Sequence, residues 1–115
     1  MNSILLSVKD YCMVPQETTV FDGNLCDRIN SAFFTLFELG CSSVPFRVED
    51  ESAEWSDFTD NPILLAIVPD YVQQKTRLDF DPPNNSFLVK QMNDSLTELV
   101  SRISYAVDPG WEVLE

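Results

Sequence analysis

The sequence predicts an all-α fold, a small helical bundle of about four helices with a long acidic loop and an extended C-terminal tail. Three observations predict it. Apolar residues recur at three- and four-residue spacing in four separate segments, the period that lines one face of a helix. Gly40 and the Pro82-Pro83 pair stand where two of those segments stop. Between Ser42 and Asn61 the period is lost, and six carboxylates (Glu49, Asp50, Glu51, Glu54, Asp57 and Asp60) collect there. At 115 residues, 44% of them hydrophobic and eight of them Phe, the chain has enough apolar material for one domain around one core.

The first segment, Ser3 to Met13, sets Ile4, Leu5, Val8, Tyr11 and Cys12 at helical spacing and predicts a short amphipathic helix that Pro15 stops. Asp22 is the expected N-cap of a second helix, its carboxylate accepting an orphan backbone N–H and favouring the positive helix end. Leu25, Ile29, Ala32, Leu36 and Leu39 mark one face of that helix, and Phe33 and Phe37 widen the stripe. Gly40 is the expected left-handed terminator. In the acidic interval Phe46 and Val48 alternate with charged neighbours as a short extended piece, and Ser52 is placed to open a helical turn carrying Trp55. A loop of this length in a compact domain is functional or pinned by its aromatics, and both are expected here.

Pro62, in the first-turn position after Asp60 and Asn61, begins a third helix whose Leu64, Ile67, Val68, Tyr71, Val72 and Leu78 share a face. Pro69 lies inside it. Its missing N–H and its ring clash, at about 3 kcal/mol, predict a kink or a split near Val68. Lys75 and Arg77 suit the negative end, and Asp81, Pro82 and Pro83 stop the helix. Asn85 or Ser86 is the expected cap of a fourth helix, in which Leu88, Met92, Leu96, Leu99 and Ile103 repeat as far as about Tyr105. Lys90, Asp94 and Ser101 mark its polar face. Beyond Asp108, Pro109 and Gly110 the chain ends in the apolar and acidic run Trp111 to Glu115.

Seven Lys and Arg against 19 Asp and Glu give a net charge of −12, with no His. Binding nucleic acid through its phosphates needs clustered bases, and those here are scattered from Lys9 to Arg102. The same deficit argues against anionic membrane surfaces. No apolar run approaches the ~18 residues of a membrane span, and the N-terminus lacks the pattern of a secretory signal. A cytoplasmic origin is the expectation. Cys12, Cys26 and Cys41 are too widely spaced for a zinc or redox pair and read as three buried thiols.

Catalysis finds little to work with. Without His, a Ser-His or Cys-His nucleophile pair cannot be built. Asp79 with Asp81, or the acids from Glu49 to Asp60, are the candidate carboxylate groups, but they lack the spacing and glycine turn of a calcium loop and read as solvated acids. Gly23, Gly40 and Gly110 are isolated, so no phosphate-cradling loop exists. Neither an enzymatic activity nor a cofactor or metal is expected. The aromatics are more informative, because exposed ones often anchor interfaces. Trp55 either clamps the acidic loop onto the bundle or faces a neighbouring subunit. Trp111 and Val113 alternate with Glu112 and Leu114, as in an extended segment that adds to a partner, or as in a frayed tail.

Several segments together resemble the head-tail connector, or adaptor, proteins of long-tailed bacteriophages. They are Val8-Lys9-Asp10-Tyr11, the Asp22 to Gly40 helix with its Ile-Asn-Ser segment, Trp55 to Phe58, Asp79-Phe80-Asp81-Pro82-Pro83 with Ser86, and Glu98-Leu99 followed by Arg102-Ile103. The resemblance runs from about Ile4 to Ser104. It implies a non-catalytic virion protein, assembled in the host bacterial cytoplasm. It also implies a ring, commonly of about twelve copies, docked between the portal protein and the next neck or tail protein and lining the DNA exit channel. On that footing residues 1-106 form the helical-bundle adaptor domain and 107-115 an extended arm, Val107 to Glu115, that helps bind the portal. Trp55, Phe58, Trp111, Val113 and Leu114 are then the candidates for contact with the portal or a neighbouring subunit. The sequence departs from the family where Pro69-Asp70 interrupts the third helix and in its Trp111 tail. Apart from the resemblance, an excess of carboxylate suits a conduit that DNA slides through, and it requires subunit contacts that are apolar or that use Arg28, Arg47, Lys75, Arg77 or Arg102. The rival reading is an acidic DNA mimic that inhibits a host nuclease. A mimic spreads its acids along one face, whereas here six crowd one loop.

Overall fold

Each expected helix forms, and most of the boundary signals act where they stand. In the computed structural model, which describes residues 2–42 and 44–107, the order is α1 (Ile4–Tyr11), α2 (Asp22–Glu38), α3 (Trp55–Phe58), α4 (Pro62–Phe80) and α5 (Ser86–Val107). The described residues contain no strand, and the fold is an all-α bundle of five helices. The fifth is the four-residue turn α3 inside the acidic loop.

Ser3 caps α1, its hydroxyl accepting from the Leu6 N–H at 3.3 Å. The helix stops before Pro15 is reached. Met13 takes a left-handed conformation, φ 62°, so that its N–H reaches Asp10 and the Val14 N–H reaches Lys9 at 2.8 Å. That is a Schellman closure with a non-glycine residue at its strained position. α2 closes the same way with the residue suited to it. Gly40 has φ 90°, its N–H bonds Phe37 O, and the Cys41 N–H bonds Leu36 O. Asn61 caps α4 through Ile63 and Leu64, and Asn85 caps α5 through Phe87 and Leu88.

Asp22 is not the N-cap of α2. Phe21 occupies that position without a side-chain bond, and Asp22 is the first helical residue. Its carboxylate instead faces Lys9 Nζ at 3.0 Å. Lys9 is 1% exposed and also donates to the carbonyls of Gln16 and Thr18 at 3.0 and 2.7 Å. One buried ammonium thus fastens α1, the 15–19 turn and the start of α2. A buried charge survives only when its hydrogen-bonding capacity is met, and here three oxygens meet it.

α4 is the central element, in contact with α1, α2, α3 and α5. Pro69 does not split it: the helix runs unbroken from Pro62 to Phe80. Leu64, Val68, Tyr71, Val72 and Thr76 are its buried residues, whereas Ile67 and Leu78, expected on the same face, are only half-buried. The buried row steps by four residues and carries Thr76 inward with it. α5 returns antiparallel along α4 after the turn at 81–85, and its end lies by the end of α2, where a Cβ added at Gly40 would stand 3.3 Å from Val107.

The acidic loop is ordered by its apolar half. Phe33, fully buried on α2, packs its ring against Phe46, Trp55 and Phe58 at centroid distances of 4.9, 6.2 and 4.8 Å. The buried Asn30 amide bonds both backbone groups of Val48, accepting at 2.6 Å and donating at 3.0 Å. No strand forms at Phe46 and Val48, and the Val48 backbone pairs with this side chain instead. The chain start supplies the third tie: Ile4 N–H bonds Ala53 O at 2.9 Å, and Trp55 N–H bonds Asn2 O at 3.2 Å. Ser52 does not open α3. It bonds the Asp50 carboxylate, and Asp57 accepts from the Glu54 N–H at 2.8 Å to close the turn.

Two substitutions test these assignments. Phe33→Ala empties the centre of the aromatic cluster and is expected to cost about 3–5 kcal/mol, read from urea unfolding. Met13→Gly relieves the left-handed strain and is expected to raise stability by about 1 kcal/mol, read as a shift of the same midpoint at unchanged slope.

Candidate interaction surface

The six acids of the loop are all exposed, while Val48, Trp55 and Phe58 between them are buried. The loop therefore presents a fixed anionic surface on an aromatic base. Asp50 is held below the ordinary carboxylate range by its two hydrogen bonds from Ser52. Glu49, Asp50 and Glu51 also border a cleft of about 230 Å³ beside the Lys9 and Asp22 pair.

The sequence candidates fall in different places. Trp55 and Phe58 are each 9% exposed, and the Trp55 indole N–H donates to Ser7 Oγ at 3.3 Å. Both serve mainly to hold the loop to the bundle. Trp111, Val113 and Leu114 lie outside the described residues. Asp79 faces Lys75 at 3.8 Å, and Asp81 is the C-cap of α4. Among the described residues no group of three or more Cys, Asp or Glu is arranged to hold a metal ion, and no helix is long and apolar enough to cross a membrane.

Apolar side chains are exposed elsewhere on the bundle. α5 buries only Leu96, Leu99 and Ile103, all in its second half. Leu88, the first residue of its apolar stripe, is 46% exposed and its neighbour Phe87 is 65% exposed. At the same end of the bundle Phe21, 43% exposed, meets Phe80 edge-on at 5.6 Å. Between α1, α4 and α5 lies an open groove of about 330 Å³, lined by Tyr11, Gln74, Arg77, Pro83, Leu88, Gln91, Met92 and Ser95. A second apolar spot is made by Phe34, 47% exposed, with Phe37 at 5.9 Å. The signal for Phe34 and Phe87 was present in the sequence: each is a large apolar residue standing off its helix's buried stripe.

The cations divide into two sets. Lys9, Lys75, Lys90 and Arg102 pair with Asp22, Asp79, Asp94 and Glu98 of the same chain. Arg28, Arg47 and Arg77 form no ion pair among the described residues. Exposed pairs of the first set contribute little to stability, but they neutralise cations that a partner's acids would otherwise use.

The thiols offer no reactive site. Cys12 and Cys26 are buried and Cys41 half-buried. Burial pushes Cys12 and Cys41 up to about 11, with Arg77 partly opposing the shift at Cys12, and raises Cys26 with help from Asp22.

Comparison with known families gives a match over most of the chain. The family model described as phage connector protein matches residues 4–110. No curated protein and no solved structure shows a significant match.

Deprotonation of Cys12 and Cys41 is delayed, so disulfide-exchange labelling of these two in the native protein near pH 8 should run on the order of a hundredfold slower than for an ordinary exposed thiol and accelerate as pH rises. Denaturant should release all three thiols at once. Fast native labelling would show that the end of α1 or of α2 opens readily.

Proposed function

This chain belongs to the phage connector protein family, and from that premise we propose that it forms a ring between the portal protein and the next neck or tail protein, lining the channel through which DNA leaves the head. Its role is structural, of the phage connector type. The single observation that carries the reading is the family match over residues 4–110, nearly the whole described bundle. The family is a structural one, and catalysis is no part of the proposal.

The physical features support this placement. A ring around a DNA conduit has to avoid gripping the duplex, and a rigid surface of six exposed carboxylates repels phosphate without reading sequence. The uncovered groove, with Phe87, Leu88 and Phe21 at the same end, supplies apolar area of the kind that a neighbouring protein covers. A ring is a heterologous assembly, so each subunit needs two different complementary patches, and the bundle carries distinct apolar patches on α5 and α2. In this reading Val107, expected in the arm, closes α5 instead, and residues 108–115 supply the arm toward a partner. The virion neck is its place of action.

A net charge of −12 per copy opposes assembly at low salt, so the portal is needed as a template. The purified chain alone is expected to elute as a monomer or small oligomer in size-exclusion chromatography with light scattering. Mixed with portal protein, it is expected to add a ring visible by electron microscopy. Capture of a DNA-cutting nuclease in place of the portal would instead establish the mimic reading.

A further inference from the structure

We propose that residues 15–20 form a strap over Lys9 that opens as a unit while the long helices stay packed. It does so in the isolated chain, whatever the chain assembles with. Lys9 Nζ donates to the carbonyls of Gln16 and Thr18 at 3.0 and 2.7 Å, and the Gln16 side-chain amide donates to Leu6 O at 3.1 Å. Among the described residues these three hydrogen bonds are the strap's ties to α1. The strap adds no residue to the apolar core: of its side chains only Thr18 is half-buried, and Val20 is 79% exposed. Segments with so little buried apolar contact open at the lowest free energies in a fold. The residues that pack α1, α2 and α4 together, among them Leu5, Val8, Leu25, Ile29, Val68 and Val72, all lie outside it.

The two ends of the strap suit a hinge. Before it, Met13 holds the left-handed conformation that disfavours a non-glycine residue, and after it Phe21 is the N-cap of α2 without a side-chain bond. The latch itself is nearly balanced. In the closed state the Lys9 ammonium has two strap carbonyls and Asp22; in the open state water replaces the carbonyls, while Asp22, which belongs to α2, keeps its place. Trading one hydrogen-bond partner for another changes the free energy little, and no buried charge is left bare. Gln16 and Thr19 wall one side of the cleft whose other side carries Glu49, Asp50 and Glu51. Opening the strap therefore widens that cleft and brings a hidden ammonium into contact with water beside the acidic loop.

The test is amine acylation of the full-length chain with the N-hydroxysuccinimide ester of acetic acid, at a series of urea concentrations below the unfolding transition. Peptide mass spectrometry reads modification at Lys9 against the exposed Lys90. Urea dependence follows the surface that an opening exposes, so release of Lys9 by the strap alone should rise with urea at less than half the slope of global unfolding, which circular dichroism measures on the same chain. Gln16→Ala removes one tie from an exposed position and is expected to speed Lys9 acylation about tenfold, still at the small slope. A slope of half the unfolding value or more overturns the strap, because Lys9 is then reached through the unfolded chain. An unchanged Lys9 rate in Gln16→Ala overturns it as well, since the strap is then not what covers the amine.

Discussion

Everything in this bundle leans on α4, and α4 contains a proline. Pro69 removes one backbone hydrogen bond and crowds the preceding turn, at about 3 kcal/mol. The helix nonetheless continues through it, because Leu64, Val68, Tyr71 and Val72 are buried on both sides of the defect. Burial of such side chains is worth roughly 1.5–3 kcal/mol each, so packing exceeds the local penalty severalfold. Burial pushes the Tyr71 phenol above its ordinary range, partly opposed by the Thr35 side chain of α2. A split at Pro69 would have separated the two halves of the surface on which α1, α2, α3 and α5 rest.

The acidic loop resolves a conflict between charge and compactness. Six exposed carboxylates within twelve residues repel one another and, left alone, would favour an extended chain. Three attachments of different kinds hold the loop down: the aromatic cluster on Phe33, the Asn30 clamp on Val48, and the backbone pairing with residues 2–4. Because the acids alternate with the anchors, the stronger the hold on the aromatics, the more firmly the carboxylates are displayed. The result is an anionic surface held on an aromatic base.

α5 shows the opposite arrangement. Its apolar stripe continues over the whole helix, but only Leu96, Leu99 and Ile103, in the second half, are buried. The first half leaves Phe87 and Leu88 exposed, with the Phe21 and Phe80 pair at the same end of the bundle.

Local physics made much of the fold legible in the sequence. The period of apolar residues located the four long helices. Gly40, Asn61, Asn85 and the prolines placed most of their ends, because caps and turns depend on residues only a few positions apart. The family was also legible, from the order of its short motifs. The burial of Lys9 and the partner of Asp22 were not, since both depend on where the 15–19 turn comes to rest. Nor was the inward position of Trp55, which Phe33 of α2 and Ser7 of α1 together decide, or the exposure of Leu88, whose spacing is identical to that of the buried Leu96. Periodicity states which side chains share a face. Only the packed bundle determines how far along a helix that face finds something to cover it, because coverage depends on contacts between residues far apart in the chain.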